Sequence, residues 1–213
     1  MQPEIHIYDE IGPEYYGLIN AKSVIDALPK SGDVTVRMNS PGGCVVEGLA
    51  IYNALVRHPG SVSIEIDALA ASIASVIAMA GDTISIAENA QLMIHMPWSV
   101  TAGTAADHRG QADILDTFSD VLAKSYSARS GMTIAAVAAA MEAKTWYTAD
   151  EAFSAGLVDL VSQPLKIGAR MRPDQFENAP ADMVRRAAAR VDPPRSTAAA
   201  KRRIAAAQLT VVL

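Results

Sequence analysis

Ser72 and His95 are the residue types from which a nucleophile and its general base are made, and they stand 23 positions apart. A serine hydroxyl attacks a carbonyl efficiently only when a neighbouring base takes its proton, and a neutral imidazole suits that task near pH 7. Ser72 lies in Asp67-Ala68-Leu69-Ala70-Ala71-Ser72-Ile73-Ala74, where a strand-like run passes directly into a small-residue helix. A serine at such a junction holds its hydroxyl beside the first free N–H groups of the helix, which point toward any oxyanion formed there. The same position favours a serine that only caps the helix, so this segment by itself leaves both readings open. His95 lies in the apolar run Leu92-Met93-Ile94-His95-Met96, read as a strand. There it is either a core histidine with satisfied ring nitrogens or the base that meets Ser72 across a sheet.

A third segment, Asn39-Ser40-Pro41-Gly42-Gly43, follows a strand and precedes a helix. Its paired glycines permit positive φ and close approach of bare backbone to a ligand, although an ordinary tight turn has the same composition. It is not a phosphate-binding loop, because no Gly-Lys-Ser/Thr follows. Cys44 opens the next helix and reads as a small apolar residue, with no second histidine placed to serve it as a nucleophile. His6, His58 and His108 read as surface or turn residues. The sequence has no HExxH, no CxxC and no His/carboxylate cluster, so neither a metal nor another cofactor is expected. Ser72 does not sit in GxSxG, which removes the α/β-hydrolase elbow.

The elements that must position these residues alternate between strand and helix. Strands are expected at Ile5–Tyr8, Val34–Met38, Val62–Leu69, Thr83–Ala87, Leu92–Met96 and Leu157–Val161. Helices are expected at Ala21–Leu28, Val45–Arg57, Ala71–Ala80, Ala105–Ser130 and Thr133–Ala143. A short further helix opens on the capping box Thr148-Ala149-Asp150-Glu151 and ends at Gly156. The long helix is amphipathic, with Ile114, Leu115, Phe118, Val121, Leu122 and Tyr126 along one face. This order predicts an α/β fold with Val34–Met38, Val62–Leu69 and Leu92–Met96 in one mainly parallel sheet.

Charge divides the chain in two. Residues 1–163 carry 8 Lys/Arg against 19 Asp/Glu, whereas residues 164–213 carry 10 against 4. The first segment reads as a globular domain and the second as a Pro/Ala/Arg-rich linker and basic tail, helical in parts and open to trypsin. An acidic body argues against nucleic-acid binding by the main domain. No apolar run is long enough to span a membrane, and the first residues lack the pattern of a signal peptide. One cysteine in 213 residues excludes an internal disulfide framework and fits a reducing cytoplasm.

Taken together, NSPGG and its helix, AAS and its small-residue helix, the MIHMP segment, and a capping-box helix ending in AGLVD resemble the Clp peptidase family, most of all the Clp-like proteases of phages and prophages. The resemblance runs over about residues 4–163. Gly43 lies 29 residues before Ser72, and His95 lies 23 after it. The resemblance implies a Clp/crotonase-type spiral of ββα units with Ala105–Ser130 as the handle helix. It implies Ser72 as nucleophile, His95 as general base, and the backbone N–H groups of Gly43 and Ile73 as the oxyanion hole, with Gly42 opening the same turn. It also implies a homo-oligomeric ring, a heptamer in stacked pairs, that hydrolyses unfolded or scaffold polypeptide, as in capsid maturation.

Two departures qualify that reading. The family's third catalytic member is an acid two residues before an aromatic; in Met141-Glu142-Ala143-Lys144-Thr145-Trp146 that place belongs to Lys144. A lysine cannot accept a proton from an imidazole N–H, and its charge opposes the imidazolium. Glu142 stands two residues away as a substitute, and the alternative is that Lys144 is an exposed residue of a loop shifted by a residue or two. The other departure is at the front, where the family has an axial-loop segment and this chain starts almost at its first strand, so docking to a Clp ATPase is not expected. Two alternatives therefore stand beside the peptidase: a catalytically silent structural or scaffold subunit of the same fold, favoured by Lys144, and a crotonase-type acyl-CoA enzyme, disfavoured by the Ser72/His95 pair.

Overall fold

The computed structural model describes residues 2–16, 18–163 and 178–181. A seven-stranded sheet organises the described residues. β1 (Glu4–Ile7), β2 (Val34–Ser40), β3 (Val62–Ala71), β4 (Thr83–Ala87) and β7 (Leu160–Ser162) lie side by side in that order, and every neighbouring pair is parallel. β3 is long enough to change neighbours along its length. Its first half pairs with β4 (Ile64 with Ile84, Ile66 with Ile86), and its last residues pair with β5, Gln91–Ile94 (Ala70 with Leu92, Ala71 with Met93). β6 (Thr145–Thr148) then runs antiparallel to β5. The three strands expected in one mainly parallel sheet are there, in the α/β architecture read from the alternation.

One face of the sheet is covered by α1 (Ala21–Ala27), α2 (Val45–Val56) and α3 (Ile73–Ala78), and further along by α4 (Ala105–Ser130), α5 (Ile134–Glu142) and α6 (Ala149–Ser154). Strand periodicity sends Val34, Val36, Met38, Ile64, Ile66 and Ala70 into that core. Gly48 lets α2 lie close on α3, because a Cβ there would come within 2.1 Å of the Ile73 side chain. The opposite face changes character along β3. Arg37 forms a two-pronged ion pair with the buried Asp67 (Nε to Oδ2 3.0 Å, Nη2 to Oδ1 2.6 Å), joined by Glu65 and the Tyr8 hydroxyl. Further on, Leu69, Ala71 and Met93 form a small apolar cluster against which Trp146 and Ala179 pack.

Several boundaries move, each for a local reason. Ala71 stays extended because it pairs with Met93, so the helix expected from Ala71 begins at Ile73. The strand expected at Leu92–Met96 ends at Ile94, and His95 is the first residue beyond it. The strand expected at Leu157–Val161 starts at Leu160. Leu157 instead closes the end of α6 (Leu157 N–H to Ala152 O, 3.0 Å), and both it and Val158 fill the core. β6 was not anticipated. The Thr148/Glu151 capping box, the end of α6 at Gly156 and the Gly131 cap of α4 match expectation. No described helix is long and apolar enough to cross a membrane. The tail expected over 164–213 lies outside the described residues except for 178–181.

Candidate active site

Ser72 stands between β3 and α3 at φ +57° and ψ −132°, a backbone conformation rare for a residue with a Cβ. Such a conformation costs on the order of 1–3 kcal/mol and persists only where its surroundings impose it. Here they do so on both sides of the residue. The Ser72 N–H donates to the Met93 carbonyl (3.0 Å), and the Ser72 carbonyl accepts from the Ser75 N–H (3.0 Å). Ser72 is the N-cap residue of α3, but its side chain makes no capping hydrogen bond. The hydroxyl instead lies 2.8 Å from Nε2 of His95. With Nε2 as the acceptor nitrogen, the hydroxyl donates to it, which is the starting arrangement for proton transfer.

The pairing of β5 with the end of β3 brings the two side chains together. Ala71 sits opposite Met93, so the residues just beyond each strand, Ser72 and His95, emerge at the same end of the sheet. Burial, together with the positive charge of Lys144, holds the His95 imidazole well below its ordinary value, at about 4. At neutral pH the ring is therefore uncharged and able to accept a proton, while the imidazolium is disfavoured.

The glycine turn closes the third side. Ile11 and Gly43 form an isolated parallel bridge: the Ile11 N–H donates to Gly42 O (2.8 Å) and the Cys44 N–H to Ile11 O (2.8 Å). A parallel bridge of this kind uses the groups either side of Gly43 and turns the Gly43 N–H away from Ile11. A Cβ at Gly43, where φ is +145°, would fall 1.9 Å from Ile11 O. At Gly42, where φ is +89°, it would fall 2.6 Å from both Ala71 O and the Ser72 Cβ, and 3.1 Å from the Ile73 nitrogen. Bare backbone from the turn thus lies against the Ser72–Ile73 peptide. The Ile73 N–H belongs to the first turn of α3, where no intrahelical acceptor exists. The small-residue requirement read from the sequence is a steric fact at both glycines.

Residue 144 is fixed by the strand that was not anticipated. β6 pairs Thr145 with Ile94, the last pair of the ladder, so Lys144 and His95 are the residues just beyond it on either strand. Lys144 itself is at φ +52°, between the end of α5 and β6. Its positive charge lowers the basicity of the imidazole, second to burial. Glu142 is the last residue of α5 and exposed. Cys44 is partly buried at the N-terminus of α2 and makes no capping bond. His6 and His108 are exposed, and His58 Nε2 lies 2.7 Å from Gly32 O in a surface turn. Among the described residues no group of three or more His, Cys, Asp or Glu side chains could hold a metal ion.

Two residues at the site escaped the sequence reading. Ser75 is buried in α3, and its Oγ lies 2.6 Å from Ser72 O, 2.9 Å from Met93 O and 2.7 Å from the hydroxyl of the buried Tyr126. The only signal was a hydroxyl three residues after Ser72 in an otherwise apolar helix.

The profile of the Clp protease family matches residues 2–164. The chain is 32% identical over 162 residues to the ATP-dependent Clp protease proteolytic subunit 1 of Leifsonia xyli subsp. xyli, covering 75% of this chain and 82% of that one. It is 33% identical over 145 residues to proteolytic subunit 3 of Streptomyces coelicolor, covering 67% and 66%. It is 34% identical over 141 residues to proteolytic subunit 3 of Rhodococcus jostii, covering 65% and 69%. With a described fold that the profile spans almost end to end and a serine–histidine contact at its centre, the chain belongs to the Clp protease family.

Proposed function

We propose that this chain is a serine endopeptidase in which Ser72 is the nucleophile and His95 the general base. The observation that carries the reading is the 2.8 Å contact between the Ser72 hydroxyl and His95 Nε2, made by a serine in strained backbone geometry. Ser72 Oγ attacks the scissile carbonyl carbon while its proton passes to Nε2. The N–H groups of Gly43 and Ile73 receive the resulting oxyanion. The imidazolium then gives the proton to the leaving amine, and the amide C–N bond breaks. Water attacks the acyl-enzyme with His95 again as base, releasing the second product as a carboxylic acid and restoring Ser72.

Proteolysis is in keeping with the names of the relatives; the substrate class, unfolded or scaffold polypeptide, follows from the resemblance to phage-type Clp proteases, whose role in capsid maturation is the finer form of this proposal. The working form is a homo-oligomeric ring, a heptamer in stacked pairs. On α4, Leu122 and Tyr126 are buried in the body, but Ile114 and Val121 remain 50% and 40% exposed, an apolar surface suited to a partner subunit. No ATPase partner and no cofactor are part of the proposal, and the cytoplasm is its compartment. The peptidase unit of the proposal is residues 1–163, and the basic segment 164–213 is an appendage to it, of which Ala179 packs against the body.

The positive charge of Lys144 near His95 favours a second reading, a structural subunit of the same fold with little or no catalysis. The acyl-CoA alternative has no use for a serine–histidine contact and is set aside. Covalent labelling with a fluorophosphonate, mapped by mass spectrometry, decides between the first two. The peptidase reading expects the label on Ser72, and its loss in Ser72→Ala and His95→Ala with oligomeric size unchanged. A wild-type protein that takes no label belongs to the structural reading.

A further inference from the structure

We propose that Ser75 and Tyr126 are positioning residues that hold the nucleophile and the base strand in register, an inference that rests on the serine-nucleophile reading above. The Ser75 hydroxyl has one proton and three oxygen neighbours: the carbonyls of Ser72 (2.6 Å) and Met93 (2.9 Å) and the Tyr126 hydroxyl (2.7 Å). Carbonyl oxygens only accept. If Ser75 gave its proton to Tyr126, it would face two carbonyl oxygens at contact distance with no hydrogen between them. The arrangement that satisfies all four oxygens has Tyr126 donating to Ser75 Oγ, while the Ser75 proton is shared between the two carbonyls. Complete burial pushes the Tyr126 hydroxyl far above its ordinary pKa, so it stays protonated and keeps this role throughout the working pH range.

Those two carbonyls are the ones that matter for the site. Met93 O also accepts the Ser72 N–H, and Ser72 O also accepts the Ser75 N–H. The peptide groups on both sides of Ser72 are thereby tied, which keeps φ at +57°. Met93 precedes His95 by two residues on the strand that delivers the imidazole. One buried hydroxyl therefore joins the elbow that carries Oγ to the strand that carries Nε2, and Tyr126 anchors it from α4. Neither Ser75 nor Tyr126 approaches the reacting atoms in this scheme. Both act through Ser72 and Met93.

The test measures the second-order rate of fluorophosphonate labelling, together with kcat and KM for a fluorogenic peptide, in the full chain. Ser75→Ala is expected to lower the labelling rate and kcat by about 10- to 100-fold with KM near wild type, as misplacement of a reacting group by about 1 Å does. Tyr126→Phe, which removes only the donor, is expected to lower them by about five-fold. Ile77→Val, a cavity in the same helix away from the clamp, serves as the folding control and is expected to lower thermal stability while labelling as wild type does. Wild-type labelling rates in both Ser75→Ala and Tyr126→Phe would overturn the proposal, as would a loss in Ile77→Val equal to that in Ser75→Ala. If the wild-type protein takes no label, the nucleophile reading fails separately. The clamp is then judged by hydrogen exchange: Ser75→Ala should deprotect the Ser72 and Ser75 amides if it exists, and unchanged protection would refute it.

Discussion

On one side of the Ser72–His95 contact, the β3–α3 elbow has its peptide groups tied and its neighbours pared down to glycine backbone. On the other side, the β5–β6 ladder ends at the Ile94–Thr145 pair, and the cation just beyond it, Lys144, adds to burial in lowering the proton affinity of His95. The elbow governs where the Ser72 hydroxyl points. Burial and Lys144 govern how willingly the imidazole takes a charge. The two are separable because the first is set by packing and backbone hydrogen bonds, and the second by one side chain and by burial. The proposed mechanism therefore has a site that keeps its attack geometry while its base is weakened.

The elbow side should be the more fragile. Gly43→Ala forces a Cβ to within 1.9 Å of Ile11 O at φ +145°, so the turn must move and carry the Gly43 N–H with it. Labelling of Ser72 is expected to fall by at least about 100-fold, the scale of losing one oxyanion donor. Gly32→Ala supplies the contrast, since φ there is +87° but nothing lies within 4 Å of the added carbon. It should cost a little thermal stability and leave labelling unchanged. Equal labelling in the two variants would break the distinction between a glycine needed for the site and one needed for a turn.

The ladder side should respond in the opposite direction. Lys144→Glu replaces a charge that opposes the imidazolium with one that favours it, and is expected to raise kcat by about 10-fold or more, given that loss of the triad acid costs about 10⁴-fold in serine proteases. Lys144→Met, which only removes the charge, should fall between. The same change should move the pH profile. With the His95 pKa held at about 4, the wild-type labelling rate should stay level from pH 8 to pH 6 and fall only near pH 4, because the reactive form is the neutral ring. In Lys144→Glu the acid limb should move up toward the ordinary histidine value. A wild-type limb near pH 6.5 would show that neither burial nor Lys144 controls the base.

The smallest expected effect is on stability. The unfolded chain protonates His95 near its ordinary value, whereas the folded chain resists until about pH 4. A depressed folded pKa gives stability that is present above the unfolded value and is lost as pH falls between the two. Thermal midpoints of wild type and His95→Gln, compared from pH 7 to pH 4.5, should diverge in favour of the variant as the solution becomes more acidic. Parallel curves would place the imidazole in a less buried setting.

Much of the elbow side was legible in the sequence. Paired glycines, a small-residue helix and a serine at a strand–helix junction each carry a local steric requirement, and family spacing ties them together. The parallel order of Val34–Met38, Val62–Leu69 and Leu92–Met96 followed from alternation and short connections. On the other side the resemblance put Lys144 at the family's acid place, but the strand after it was not legible, because Thr145–Thr148 is only four residues long and follows closely on a helix. Its strand character comes from pairing with β5, a tertiary contact that local propensity does not encode. The Ser75 clamp was hidden for a similar reason, since its partners Met93 and Tyr126 lie 18 and 51 residues away. The Arg37–Asp67 pair spans 30 residues in the same manner.

Hydrolysis of a fluorogenic peptide by wild type, Ser72→Ala and Lys144→Glu, measured side by side at pH 7.5, tests most directly that attack geometry is complete while the base is held back. Weak but measurable wild-type turnover is expected, with none in Ser72→Ala and a clear gain in Lys144→Glu. Turnover that survives Ser72→Ala, or its absence from both wild type and Lys144→Glu, would contradict it.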